Sequence, residues 1–320
     1  FVGHPPFVGL VAACALLSLF WLLAAPAGAG QTARVLAIHS YHPGYAWQDG
    51  IDRALDQTLT QDSQTRVEVF HEYMDTLRLA DPALQIEFFD HLKHRYAGLR
   101  FEVIIASDNE ALSFLLNYRD WLFGLTPVVF VGINDYNPAM LLGQPSYTGV
   151  AEYVDILATL QVALKFRPQT RRVVVFGRRT LTYFANLELL QKAARQLGRG
   201  LEVHSLAGLH LPRVLEELRT LSPTDIVLLM EPVPDEEGKL IPFSQSTPVI
   251  TRLCPVPVFS LWDVVLGKGI VGGKMVSASE QGRLGAEMAL QIIKGRDPAS
   301  LPVISQSPNR YMFDHEQLAR

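Results

Sequence analysis

The chain has 320 residues, 48% of them hydrophobic and 19% charged, with a formal net charge of -4. That is a globular composition long enough for two lobes with separate cores, and it excludes a disordered or low-complexity protein. Lysine and arginine are scattered, so no nucleic-acid partner is expected, and two cysteines, Cys14 and Cys254, do not make a disulfide framework.

Residues 7–25, FVGLVAACALLSLFWLLAA, form an uncharged run of bilayer-spanning length. Ala27, Gly28 and Ala29 then suit a signal-peptidase site, so residues 1–30 are expected to be a signal peptide or membrane anchor and the protein periplasmic or otherwise extracytoplasmic. From Ala33 onward, short β-branched apolar runs alternate with longer amphipathic segments, the pattern of βα units around a parallel sheet. Strands are predicted over residues 35–40, 66–71, 101–106, 127–132, 172–176, 201–206, 225–230 and 256–260. Helices are predicted over residues 48–60, 82–96, 109–116, 155–166, 183–197, 211–221, 244–253 and 281–294. Asp81 and Pro82 suit a helix start, and Gly198 suits a left-handed helix end. Runs such as VVVF and IVLLM lack alternation, which predicts strands covered on both faces.

The strands fall into two groups of about four, separated near residues 149–153. The expected fold is α/β, two doubly wound parallel-sheet lobes joined by crossing strands. Lobe 1 is assigned residues 31–150 plus about 263–298, and lobe 2 residues 151–262 plus about 299–320.

In such sheets ligands bind beyond the carboxyl ends of the strands, so the residues following each predicted strand are the candidates. They are Ser40, Tyr41 and His42; Asp108 and Asn109; Asn134 and Asp135; Arg178 and Thr180; Glu231; and Trp262 and Asp263, with Trp47 opening the first helix. Rings and a few hydrogen-bonding groups from both lobes suit a small organic ligand. Each also has a plainer reading: Asp108, Asn109 and Asp135 as helix caps, Trp47 as packing.

His39-x-x-His42, with His71 further on, invites a zinc reading. Histidines three apart at a strand end point to opposite sides unless the backbone turns, and no third ligand has metal-site spacing, so no metal is expected. His91 and His94 read as a solvated helix face. Residues 267–272 match G-x-G-x-x-G but lack the preceding strand and following helix of a dinucleotide site, so no cofactor is expected. Neither a phosphate loop nor a nucleophile elbow occurs, and the chain is read as non-catalytic.

Several segments carry a family resemblance: VLAIHSYHPGYAWQDGI, MDTLR at Met74 to Arg78, ASDNEALSFLL, PVVFVGINDY, TGVAEYVDI, PVPVFSLWDVVLGKGIVGGKMVSASEQGRLGAEMALQIIKG and SPNRYMFDHEQLAR. Spanning nearly everything from Val35 onward, they make the chain resemble the ABC-transporter-type substrate-binding proteins of type I periplasmic-binding-protein fold. It is most similar to the version that forms the extracytoplasmic sensor region of bacterial histidine kinases and diguanylate cyclases. The resemblance implies two lobes closing on a small ligand, with Tyr41, His42, Asp108, Asn134, Glu231 and Trp262 on the cleft-facing loops. It also implies amino acids, including aromatic ones, among the ligands of relatives. The segment GRRTLTYFAN departs from the family pattern, because Arg178 and Arg179 bring positive charge where relatives are acidic or small; a carboxylate-bearing ligand is the corresponding expectation.

The leading expectation is therefore a non-catalytic sensor input module that binds a small molecule, an amino acid or a small carboxylate-bearing solute, and is joined to membrane-associated signalling domains. The alternative in the same fold is a free receptor delivering solutes to an ABC permease. A secreted metal-dependent hydrolase using His39, His42 and Asp108 is the rival from another class.

Overall fold

The computed structural model describes residues 3, 32–79, 81 and 83–319. The expected signal or anchor segment and Pro82 lie outside the described residues, apart from residue 3. No helix among the described residues is long and apolar enough to cross a membrane.

The first sheet is all parallel, with β1 (Ala33–His39), β2 (Val67–Tyr73), β3 (Val103–Ser107), β4 (Val128–Ile133) and β5 (Tyr147–Ala151) in the order β2-β1-β3-β4-β5. The second contains β6 (Arg172–Gly177), β7 (Glu202–Ala207), β8 (Asp225–Leu229), β9 (Val258–Ser260), β10 (Gly272–Met275) and β11 (Arg310–Phe313). Their order is β11-β10-β9-β8-β6-β7, and only β11 runs antiparallel to its neighbour. Helices α1 (Ala46–Thr60), α2 (Leu84–Arg95), α3 (Asp108–Phe123) and α8 (Ala278–Ile293) belong to the first lobe. Helices α4 (Ile156–Phe166), α5 (Leu181–Gln196), α6 (Leu211–Leu218) and α7 (Phe243–Leu253) belong to the second, and the short α9 (His315–Leu318) follows β11.

Strand periodicity distributes the core. Val35, Ala37, Val103, Ile105, Val129 and Val131 face α1 and α8, while Leu36, Ile38, Ile104, Ala106, Val128 and Phe130 face α2 and α3. In the second sheet Val173, Val175, Ile226 and Leu228 join the same apolar cluster as α1 and α8, and Val174, Phe176, Val227 and Leu229 face the other way. The central strands of each sheet are buried on both faces, as the unalternating runs imply, while the edge strands β2, β7 and β11 are partly exposed, and one apolar cluster continues through both lobes.

The chain passes between lobes at residues 152–155, 276–277 and 305–309. Two boundaries differ from expectation. Because β10 pairs with β9, the return to the first lobe comes after Met275 rather than near residue 263. Residues 299–304 stay with the first lobe, where Ile304 N–H donates to Gly149 O at 2.9 Å and Thr148 Oγ1 donates to Leu301 O at 2.8 Å. The glycine pattern at residues 267–272 has a local cause: a side chain on Gly269 would meet Thr251 Oγ1 at 2.5 Å, and one on Gly272 would meet Met312 O at 2.2 Å. Here the glycines lead into β10 instead of following a strand.

Helices α1 and α8 approach closely because small residues line their contact. A Cβ on Gly282 would stand 2.5 Å from Ile51 O, a backbone atom that cannot step aside. Gly282→Ala is predicted to destabilise the protein by about 1–3 kcal/mol in urea unfolding, since overpacking forces backbone shifts. A variant as stable as the parent would show that the two helices separate freely.

Candidate functional site

The carboxyl ends of β1, β3 and β4 lie side by side, and the residues beyond them converge. Asp108 follows β3 with φ of 70°, a left-handed conformation unusual for a residue other than glycine; Asp135, beyond β4, has φ of 53°. The Asp108 carboxyl is fully buried. Trp47 donates its indole N–H to Asp108 Oδ1 at 3.0 Å, and Ser107 donates its hydroxyl to Oδ2 at 2.8 Å. No side chain caps the start of α3, so the capping reading of Asp108 is replaced by one in which its carboxylate is gripped from two sides.

The first crossover adds a second acid. Glu152, only 7% exposed, accepts the indole N–H of Trp262, from the loop after β9, at 2.8 Å. The contact ties the crossover to the second lobe. Tyr41 and Tyr45 stand edge to face with ring centroids 5.3 Å apart, within the field of both Asp108 and Glu152. Burial pushes the Glu152 carboxyl up to about 7, with Asp135 adding to the rise. Burial, then the neighbouring charges of Glu152 and Glu110, raise Asp108 well above the ordinary aspartate range. The phenols of Tyr41 and Tyr45 are raised by burial and by the same acids.

Other expected site residues take more local positions. Ser40 is buried, donating to Ser107 O at 2.8 Å and accepting from Ala111 N–H at 2.9 Å, so its hydroxyl joins β1 to β3 and α3. His42 turns back to its own loop, with Nδ1 2.9 Å from Pro43 O. Asn109 brackets Asn134, donating to its carbonyl at 3.1 Å and accepting its N–H at 2.9 Å. In the second lobe Thr180 caps α5 and donates to Glu231 Oε1 at 2.9 Å, making a separate group at the ends of β6 and β8. Arg178 is exposed beside Glu231, while the Arg179 guanidinium lies 5.6 Å from the Phe184 ring centroid. Asp263 is half-buried with its carboxyl raised chiefly by burial.

The histidines do not assemble as the zinc reading required. His39 points away from His42 and meets His71, Nε2 to Nδ1, at 2.9 Å. Parallel pairing of β1 with β2 places His39, His71 and Tyr73 on the face covered by α1, where Gln48, Asp52 and Asp56 recur every fourth residue. Gln48 approaches His39 Nδ1 at 2.6 Å, Tyr73 donates to Asp52 at 2.9 Å, and His71 Nε2 lies 3.0 Å from Asp56. His39, Asp52 and His71 are close enough to share an ion, yet each already has a protein partner. Burial, then His71, holds the His39 pKa well down; burial works against charge on His71 too, but Asp56 outweighs it and raises that ring.

Three residues at the converging site were missed by sequence reasoning: Tyr45, Glu110 and Glu152. Glu152 directly follows β5, so inspection of strand ends would have found it had YTGVA been recognised as a strand.

Neither a protein-family model nor a curated protein sequence matches the chain. Solved structures do. An ABC domain from Streptococcus pneumonia in complex with L-Trp aligns at TM-score 0.62 and 16% identity, over 90% of this chain and 94% of that one. A ligand-free, open substrate binding protein with adhesive properties from Clostridium difficile aligns at 0.59 and 13%, over 90% and 94%. An ABC transporter solute binding protein from Bacillus halodurans with bound myo-inositol aligns at 0.54 and 13%, over 92% and 98%. At these identities the likeness is one of fold: two α/β lobes of type I periplasmic-binding-protein form.

Glu152 makes a stability prediction with a definite sign. Its folded pKa of about 7 exceeds the ordinary 4.5, so the burden of an ionised buried carboxylate is absent below 4.5, grows through that interval and is complete above about 7. Glu152→Gln, which keeps an acceptor for Trp262, should raise unfolding free energy at pH 8 by about 2–3 kcal/mol and change it little at pH 4. Equal stability of the two proteins at pH 8 would show that Glu152 is not held in a charge-averse setting.

Proposed function

We propose that the chain is a non-catalytic extracytoplasmic receptor that binds a small organic molecule between its two lobes. The observation that carries this reading is the group formed by Tyr41, Tyr45, Asp108, Glu152 and Trp262, where strand-end residues of the first lobe, a crossover and a second-lobe loop meet. Rings with a few oriented polar groups are what a buried organic ligand requires. The small-molecule ligands of the fold neighbours, L-Trp and myo-inositol, support the same role.

Binding biases the arrangement of the lobes only through differential affinity for the closed form. Trp262 and Glu152 are placed to report such closure, since their hydrogen bond links the second lobe to a crossover. The sensor-module role rests on the family resemblance, as does the extracytoplasmic location; delivery to an ABC permease uses the same site and differs only in the partner that reads the closed form.

A thermal-shift screen of amino acids, amines, small carboxylates, sugars and divalent metals tests the reading, because binding to the folded state raises the melting temperature by mass action. At least one organic compound is predicted to shift it, and Trp262→Ala should weaken that compound's binding at least tenfold while the unliganded variant still unfolds cooperatively. Undiminished affinity in Trp262→Ala, or stabilisation by metals alone, would contradict the interlobe site.

A further inference from the structure

The acids at the site are placed for a ligand of particular charge. Asp108, Glu110 and Glu152 lie near enough for each to act on its neighbours, and none makes an ion pair among the described residues. The basic groups placed toward the crossings are engaged elsewhere: Lys274 with Asp155 at 2.8 Å, and Arg283 and Arg310 with Glu280 at 2.8 and 2.7 Å. Arg178 sits in the open beside Glu231.

Their hydrogen bonding leaves acceptors free. Glu152, nine-tenths buried, gives Oε1 to Trp262, and its Oε2 has no partner among the described residues. Glu110 Oε2 is a buried atom without a partner. Tyr41 lies within the field of both acids and Tyr45 within that of Glu152, with the two rings edge to face. Free carboxylate oxygens beside aromatic faces favour a cation with a carbon body, through charge-assisted hydrogen bonds and cation–π attraction. A hard divalent ion is poorly served, because it takes six or more oxygens and the Asp108 oxygens are already occupied by indole and hydroxyl donors.

We propose that the site selects an organic cation, an amine or quaternary ammonium without an adjacent carboxylate, with its charge against Glu152 and its carbon body among Tyr41, Tyr45 and Trp262. The inference rests on the interlobe receptor reading and narrows its ligand class, replacing the carboxylate-bearing solute that Arg178 and Arg179 suggested. A zwitterionic amino acid is disfavoured because its carboxylate would stand next to three acids.

Binding is then linked to protons. The groups acting on or with Glu152 are Asp108 from α3, Asp135 from the end of β4, Tyr41 and Tyr45 from the loop after β1, and the neutral indole of Trp262, while Glu110 from α3 acts on Asp108 and Tyr41. A bound ammonium favours ionised Glu152, so a proton leaves on binding below about pH 7, and affinity rises up to about tenfold between pH 6 and 8 from this group. An aliphatic amine stays charged across that range.

The test is calorimetric titration of the protein with tyramine, putrescine and choline against tyrosine and 4-ethylphenol, at pH 6 and 8. At least one amine should bind at least tenfold more tightly than tyrosine and 4-ethylphenol, gain affinity severalfold at pH 8, and lose at least tenfold in Glu152→Gln. That variant is expected to be the more stable protein at pH 8, so lost binding there is not lost folding. Equal or tighter binding of tyrosine or 4-ethylphenol, or amine affinity unchanged by Glu152→Gln, would overturn the cation assignment and leave the receptor reading standing. Silence of these compounds and of the whole screening panel would overturn both.

Discussion

The site depends on a carboxylate that the fold places where it is costly to ionise. Glu152 begins the first crossover, largely buried, and the side-chain hydrogen bond it makes among the described residues comes from a tryptophan of the other lobe. A buried charge without a basic partner raises the free energy of the empty protein. Retaining such a group at a crossing, with Asp108 and Glu110 beside it, makes the empty state less stable than it need be and leaves a matched ligand more to gain. Strain at Asp108 and Asp135, both in left-handed conformations at strand ends, belongs to the same pattern.

Around that group the first lobe is held stiffly. The network from Gln48 through His39 and His71 to Asp56 ties α1 to the first two strands, directly beneath the loop that carries Tyr41 and Tyr45. Ser40 ties the same loop's start to β3 and α3. The close contact of α1 with α8, permitted by Gly282, anchors the segment that re-enters the first lobe after the second crossing.

Much of this was legible in the sequence. The long apolar strands and amphipathic helices announced an α/β protein with two sheets, because strands buried on both faces need no knowledge of their neighbours to be recognised. Three short strands did not: YTGVA, GGKM and RYMF are four or five residues long, too short to show a period of their own, and are recognised through pairing with neighbouring strands. Missing β10 shifted the inferred lobe boundary, and missing β5 hid Glu152. The histidines show a related limit. His39 and His71 are 32 residues apart and meet only through the register of a parallel sheet, whereas His42, three residues away, is separated from His39 by the turn of the loop. The charge of Arg178 and Arg179 is visible in the sequence, but exposure and a neighbouring Glu231 or Phe184 are properties of the folded chain.

An organic ligand held at the meeting of the two lobes is what the proposed receptor role requires. A crystal structure of the protein grown with the organic compound that most raises its melting temperature tests this most directly. Ligand density in contact with Tyr41, Glu152 and Trp262 is the expected result. Density bound elsewhere, with Tyr41, Glu152 and Trp262 left untouched, would contradict it.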